Sequence, residues 1–539
     1  MEKKRLKLPA GIQTFEKLRR QNCVYVDKTK YLVDIIDNIS VCFLARPRRF
    51  GKSLTVSTFD ALFSGEKELF KGLYAEEFLN RPDFEPSPVI RLDMSGIETA
   101  LGIDVMVESM KQRTLMIARG LDVKIENTAS AGDILAELII NTAKKHNQKV
   151  VFLLDEYDKP YTDFIDEPDM AKKVRTVLKG YYSQIKANDE HLRFIFITGI
   201  SKFTKMGVFS TLNNLVDISP DEEYGNICGL TEDEIIQYFP DYLDATAEKF
   251  GISTEDLLVR MRNYYDGFCF DVGGKNRLYN PFSTLYFFQK KNFFNFWFES
   301  ATPTMLAKYL KTQKLSVEQF RKFPVSKDFI FNTVEIENAL PENFLYQTGY
   351  LSLRTGITDE LSLDYPNTEV LNAMSALVSQ NILEDNDEDL TYCRRDLLKA
   401  MTVENQNSIV SVFNRFLACI PYDDYSAAAK QSISDNDYDM KPQEWLYRSN
   451  IISFLRGCGV LVFAEMHTNK GRSDIVLSHK GKTWVIELKV AYEGECPKKK
   501  AEEALQQIID KNYASPYPDA VCVGMAIDDT VRQITDVRI

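Results

Sequence analysis

The sequence predicts an α/β protein: a doubly wound parallel sheet, then a helical and accessory region, then a separate, smaller α/β domain. Three observations carry that prediction. Short apolar runs alternate with longer helical patterns from Val41 to about Phe203. Each run ends in turn or charged residues, where an open α/β sheet places its ligand chemistry. A polar stretch, Ser432–Asp439, then reads as a linker before a second set of helix-like and strand-like segments.

The first strands are expected at Val41–Ala45, Val89–Leu92, Val150–Leu154 and Phe194–Thr198, with the helix-like Leu54–Leu62 behind the first. Their near-continuous Val, Ile, Leu and Phe suits strands buried on both faces. From Thr231 to Leu363 the pattern becomes mixed and aromatic, with Tyr264-Tyr265-Asp266-Gly267-Phe268 and Tyr279-Asn280-Pro281-Phe282 as turn-like punctuation. This predicts a helical lid and a small accessory domain. Helical periodicity dominates from Asn367 to Asp439. The last region opens on a helix, Pro442–Gly457, continues as strand-like Val460–Glu465, Ser473–Ser478 and Thr483–Val490, and closes with a helix over Lys498–Tyr513. The expected domains are therefore 1–230, 231–366, 367–440 and 441–539.

Composition sets the outer limits. At 539 residues the chain exceeds what one core organises, and 44% hydrophobic content with 34 Phe and 26 Tyr excludes disorder. A net charge of −12 excludes a protein that coats nucleic acid through overall charge. Any such site must be local, and residues 1–60 do hold 13 Lys/Arg against six Asp/Glu. With no apolar run of about 18 residues and no apolar core in Met1–Gly11, neither a membrane span nor a signal peptide is expected, and the expected location is cytoplasmic. The nine cysteines are scattered without a C-x-x-C pair, which fits reduced thiols, and four histidines leave few candidates for His catalysis.

Arg46-Pro47-Arg48-Arg49-Phe50-Gly51-Lys52-Ser53 lies between an apolar strand and a helix. A phosphate-binding loop there needs Gly for close backbone approach, Lys for the outer phosphates and Ser for Mg²⁺. Gly51, Lys52 and Ser53 meet these needs, with Arg49 and Phe50 leading in. The first glycine of G-x-x-x-x-G-K-[ST] is replaced by Arg46. The second half of an NTPase site is Asp155-Glu156, at the end of the run Val150–Leu154: Asp155 would hold Mg²⁺ and Glu156 would polarise the attacking water. Alone, such a pair is a helix cap or solvated turn; together with the loop it predicts ATP binding and hydrolysis. Thr198 ends a strand where P-loop ATPases often carry a γ-phosphate sensor, with a purely structural Thr as the usual alternative and Lys202 and Arg193 as weaker candidates.

The C-terminal region holds Gly471-Arg472-Ser473-Asp474 and, on a strand-like run, Glu487-Leu488-Lys489. Strand alternation sends Glu487 and Lys489 to one face. Asp474, Glu487 and the Leu488 carbonyl can hold Mg²⁺, Lys489 can orient the attacking water, and Glu465 is a further candidate ligand. A surface ion pair is the ordinary alternative for such a Glu and Lys. Hydrophobic embedding of the run argues against it. Arg472, Lys470 and Lys498-Lys499-Lys500 are candidate phosphate contacts.

Across these words the chain resembles a family of prokaryotic AAA-ATPase-like proteins with a C-terminal PD-(D/E)xK nuclease domain. Leu8-Pro9-Ala10-Gly11-Ile12-Gln13, Tyr25-Val26-Asp27-Lys28-Thr29, Asp155-Glu156-Tyr157-Asp158-Lys159-Pro160 and Thr198-Gly199-Ile200 carry the likeness at the N-terminal end. Asn213-Asn214-Leu215, Tyr265-Asp266-Gly267, Tyr279-Asn280-Pro281-Phe282 and Tyr346-Gln347-Thr348-Gly349-Tyr350-Leu351 extend it. In that family the Arg-Pro-Arg-Arg-Phe lead is usual, and Asp27 and Lys28 become candidates for nucleotide contact, with a helix cap as the equal alternative. The resemblance implies a P-loop domain followed by a restriction-endonuclease-like α/β domain. It also implies a Gln and a Tyr after the Glu-x-Lys strand, matched by Gln507 and Tyr513, with Gln506 left open against Gln507. ATP and Mg²⁺ are the implied cofactors. Nucleic acid is the implied partner, DNA ahead of RNA and of foreign or mobile origin, with a homo-oligomer as a further expectation. Two competing readings remain: a nucleotide-regulated nucleic-acid-binding switch or scaffold that does not cut, and a nuclease whose N-terminal domain is a folded remnant.

Overall fold

The computed structural model describes residues 5–539 apart from 201, 203–204, 210–211, 298–305, 307–315, 327, 330–338, 357–359, 385–389, 403–405, 421–441, 469–470, 480–481 and 518. The expected linker Ser432–Asp439 lies outside the described residues. The chain forms two compact units, Met1–Tyr309 with Lys322–Val370 and Leu310–Arg321 with Leu371–Ile539.

The first unit is built on a parallel sheet of β1 (Val41–Ala45), β2 (Val89–Asp93), β3 (Val150–Asp155), β4 (Leu192–Gly199) and β5 (Val216–Asp217), in the order β2-β3-β4-β1-β5. Every residue of β1 and β3 is buried, as their unbroken apolar sequences require. Helix α1 (Lys52–Phe63) follows β1 after the loop through Gly51, and Phe59 and Phe63 pack with tilted rings on Phe194 of β4. Because β4 separates β1 from β3, the loops after β1 and β3 flank the end of β4 on the same edge.

Further helices follow. Glu232–Tyr238 opens with a full capping box between Thr231 and Glu234. With Pro240–Phe250, Thr254–Tyr265 and Pro281–Lys290 it buries an aromatic-rich core around Phe239, Tyr265, Tyr279, Phe287 and Phe288. The accessory element is an antiparallel sheet of β6 (Phe323–Val325), β7 (Ser352–Thr355) and β8 (Leu361–Asp364), in the order β6-β8-β7.

The second unit holds a mixed sheet of β9 (Leu461–Thr468), β10 (Gly471–His479), β11 (Lys482–Ala491), β12 (Val521–Asp528) and β13 (Gln533–Arg538) in the order β13-β12-β11-β10-β9. Only β11 and β12 pair in parallel. Helices Leu390–Thr402, Gln406–Ala418 and α2 (Pro442–Gly457) share one apolar core with Ile475, Leu477, Ile486 and Val523. Helix α3 (Pro497–Asp510) packs on β11 and β12, and its approach is close: a Cβ on Gly524 would stand 2.3 Å from the Ala501 carbonyl oxygen. Among the described residues no helix is long and apolar enough to cross a membrane.

Candidate phosphate and carboxylate sites

At the end of β1 the chain turns through Arg49 at φ 71° and Gly51 at φ 102° into α1. Gly51 is favoured there by its positive φ and not by crowding, since nothing lies within 4 Å of where its Cβ would be. Lys52 is buried, and its Nζ donates to the Arg46 and Pro47 carbonyls at 2.9 and 3.0 Å. Its ammonium is thus held inside the loop that phosphates would occupy. Burial pulls Lys52 below the ordinary lysine range, and Glu156, Asp155 and Asp158 push it back up.

Arg46, where an ordinary P-loop has glycine, is fully buried and structural. Its guanidinium donates to the carbonyls of Ala45 and Ser219 at 2.9 Å and of Tyr224 at 3.2 Å, and lies over the Phe270 ring. The substitution therefore ties β1 to the loops that follow β5.

Asp155 ends β3, hydrogen-bonded to Ser53; burial raises its pKa, and Ser53 and Lys52 oppose the rise. Glu156, at φ 50°, is raised by burial first and drawn down by Lys52. Gly51, Lys52, Ser53, Asp155 and Glu156 thus form one site. Two acids that sequence reasoning passed over belong beside it. Asp93 ends β2 in register with Asp155, and buried Asp158 accepts the Ile200 N–H. Asp93 was legible as a strand-terminal acid like Asp155; Asp158 was not.

The remaining candidates make other contacts. The buried Thr198 hydroxyl donates to Leu44 O at 2.8 Å, so it serves the β1–β4 pairing. Lys202 is 3.4 Å from Asp217. Arg193 lies at the opposite end of β4, bonded to Ser87 and Glu85. Asp27 caps the turn at Thr29 and accepts Tyr74 N–H, while Lys28 pairs with Glu234 at 2.5 Å. The Arg49 guanidinium lies 4.2 Å over Phe282. Phe50 is buried edge-on against Phe268 and Phe270. Beside α1 a cleft opens between Tyr25, Val26, Gly51, Thr55, Ile227 and Leu285.

In the second unit, Asp474 on β10 and Glu487 on β11 are buried side by side. Asp474 N–H donates to Glu487 Oε2 at 3.3 Å, and Leu488 N–H donates to Asp474 Oδ2 at 2.9 Å. The Gln507 amide, reaching in from α3, donates to Glu487 Oε1, whereas Gln506 turns to Asp510 at 2.8 Å. Tertiary structure thus decides between the two glutamines. Burial, and then Asp474, raises the Glu487 pKa; Lys489, half-buried, draws it down. Tyr513 instead packs in an apolar cluster with Val476, Val485 and Ile508. β9 extends past Glu465 to Thr468; the side chains of Glu465 and Arg472, and Lys470 as a whole, lie outside the described residues. Lys498 and Lys499 are exposed, while Lys500 pairs with Glu495 at 3.1 Å.

Helix α2 adds two residues that the sequence did not single out. Glu444 lies close enough to push Glu487 upward, and Arg448, one turn on, pairs with Asp474 at 3.3 Å. The signal available was only an i, i+4 Glu and Arg, which is ordinary on a helix surface. Among the described residues no three His, Cys, Asp or Glu side chains form a ready metal cage. Two adjoining buried carboxylates nevertheless suit a hard cation that takes oxygen ligands and keeps several waters.

Comparison with known proteins adds the following. The AAA-ATPase-like family, described as predicted AAA-ATPase, matches residues 9–209, and the PD-(D/E)XK nuclease superfamily matches residues 442–536. An uncharacterized protein in the vnfD 5′ region of Azotobacter chroococcum mcd 1 is 32% identical over 526 residues, covering 95% of this chain and 94% of that one. Among solved structures, Cdc6p from Pyrobaculum aerophilum is 12% identical with a TM-score of 0.24, covering 71% of this chain and 96% of that one. The ORC2 protein of Aeropyrum pernix, in ADPNP and ADP complexes, is 13% identical with a TM-score of 0.24, covering 70% and 97%. Likeness at that level carries no argument.

Proposed function

The chain belongs to the predicted AAA-ATPase family that carries a C-terminal PD-(D/E)XK nuclease domain, and on that premise we propose an ATP-hydrolysing, Mg²⁺-dependent nuclease acting on DNA. One observation carries the nuclease reading: Asp474 and Glu487, from adjacent strands, are buried together, with Lys489 beside them and Gln507 donating to Glu487. Two buried acids side by side cost stability, so their pairing with a lysine at hand points to chemistry.

Asp474, Glu487 and the Leu488 carbonyl would hold Mg²⁺, which when bound supplies Lewis acidity and a water of lowered pKa. Lys489 orients that water toward the phosphodiester and steadies the charge that develops. Gln507 holds one Glu487 oxygen so that the other faces Asp474. Exposed Lys498 and Lys499 contact phosphates without reading sequence.

In the first unit, the Gly51 turn and Lys52 bind the phosphates, Ser53 and Asp155 hold Mg²⁺, and Glu156 polarises water. The cleft beside α1 accepts the base and sugar. Nucleotide occupancy gates cleavage of DNA of foreign or mobile origin in the cytoplasm, and a neighbouring copy supplies a completing arginine. The test is cleavage of single- and double-stranded DNA and RNA with Mg²⁺ or Mn²⁺, with and without ATP, against Glu487→Ala. Cleavage that needs both Glu487 and ATP supports the reading. ATP binding without cleavage under any condition transfers it to a nucleotide-regulated binding protein.

A further inference from the structure

Arg448 sets a guanidinium against the carboxylate pair. Its Nη1 is 3.3 Å from Asp474 Oδ1, with side-chain exposures of 6% and 10%. The other oxygen, Oδ2, already accepts Leu488 N–H, and Asp474 N–H donates to Glu487. One backbone contact, from Leu488 N–H, therefore holds the Asp474 carboxylate by Oδ2, and Arg448 meets its other oxygen. What the guanidinium adds is charge, and a guanidinium is not deprotonated in a protein.

We propose that Arg448 is a resident cation of this site, neutralising Asp474 so that the carboxylate pair takes one divalent ion and not two. The proposal rests on the metal-nuclease reading above and specifies its metal stoichiometry. A two-metal site sets its ions about 3.5–4 Å apart across shared oxygens. Here the Oδ1 side of Asp474 faces a fixed positive charge, which repels a second ion from that position. The guanidinium fork also matches phosphate oxygens, so Arg448 steadies phosphate charge where a second ion would otherwise do so.

The sign of the metal response separates this role from a merely supporting one. An arginine that only oriented Asp474 would, when removed, weaken metal binding by about 10–100-fold. A resident cation does the reverse, because its removal leaves Asp474, Glu487 and Glu444 less neutralised. The experiment is Mn²⁺ titration of the full chain without nucleotide, by calorimetry and electron paramagnetic resonance, alongside DNA cleavage. Wild type is expected to bind one Mn²⁺ that Asp474→Asn abolishes. Arg448→Met is expected to bind Mn²⁺ more tightly or to take a second ion, while cleavage falls about tenfold or more. Arg448→Lys, which keeps the charge, retains a stoichiometry of one.

Two Asp474-dependent Mn²⁺ ions in wild type overturn the proposal without any Arg448 variant, as does a second ion in Arg448→Lys. Weaker Mn²⁺ binding in a folded Arg448→Met, with cleavage reduced in step, reassigns the residue to support and also overturns it. If Arg448→Met fails to fold, by circular dichroism, the wild-type and Arg448→Lys stoichiometries decide. One Asp474-dependent Mn²⁺ with no cleavage of any nucleic acid sinks the nuclease reading and leaves Arg448 as the resident cation. No such Mn²⁺ at all removes both.

Discussion

The first unit and the second each carry a buried arginine beside a site, and the two differ in what they touch. Arg46 donates to three backbone carbonyls, whereas Arg448 faces the carboxylate of Asp474. Carbonyl partners satisfy a guanidinium's protons without cancelling its charge, and such an arginine holds backbone segments together. A carboxylate partner cancels charge inside a reactive site, so the same side chain becomes part of the electrostatics there. The buried acids divide in a similar way. Asp474 has its arginine, while Glu369 has, among the described residues, neutral partners: the Ser283 hydroxyl and the Trp297 N–H, at 3.0 and 2.8 Å. Residue type and burial alone therefore do not separate scaffold from chemistry; the partner does.

The largest effect that would sharpen this contrast is expected at Lys489, the half-buried cation of the carboxylate site. Lys489→Met should lower cleavage by about 10²–10⁴-fold while leaving Mn²⁺ bound, the loss expected for a group that works in proton transfer and charge stabilisation. Loss of Mn²⁺ in that variant would instead make the lysine part of the scaffold.

Next comes Glu369, whose carboxyl burial pushes up to about 8 from an ordinary 4.5. The folded form then holds a proton that the unfolded chain releases, so stability from this group is full below about 4.5 and is lost as pH rises toward 8. The unfolding free energy from denaturant titrations across that window should fall at a rate approaching about 1.4 kcal/mol per pH unit, and Glu369→Gln should flatten the slope. An unchanged slope in the variant breaks the contrast between paired and unpaired buried acids.

Arg46→Met should cost about 3 kcal/mol of first-unit stability, since it strips donors from three carbonyls in a buried setting. A variant that keeps its denaturation midpoint but loses ATP would move Arg46 from scaffold to ligand contact. The smallest effect is expected at Thr198: Thr198→Val removes one hydrogen bond to Leu44 and should cost about 1 kcal/mol, with ATP turnover changed less than twofold. A large fall in turnover with unchanged stability would restore the sensor role.

Much of this was legible because it is written locally. β1, β3 and β4 announced themselves as apolar runs, and α2 was bounded correctly from its periodicity. Gly51-Lys52-Ser53 and Asp155-Glu156 were found from residue type and position at strand ends. β12 was harder to read, since Gly524 interrupts its apolar pattern to let α3 pass close by. β13 is a short edge strand whose exposed residues alternate weakly. Glu444 and Arg448 were missed because a Glu and an Arg one turn apart suggest a solvated face, and the burial of Arg448 against Asp474 is a property of packing.

The sequence by itself determined the candidate groups and in what order they come: the Gly51-Lys52-Ser53 loop, the acids after β3, and the Asp and Glu-x-Lys of the second unit. Hydrophobic periodicity and short-range backbone preference suffice for that, because both act over a few residues. Only the tertiary structure decided the partners. It turned Thr198 toward Leu44, chose Gln507 over Gln506, buried Arg46 among carbonyls and set Arg448 against Asp474. Those outcomes depend on segments far apart in the chain meeting in a desolvated interior, where each buried polar group must find a partner that its own neighbours in sequence do not provide.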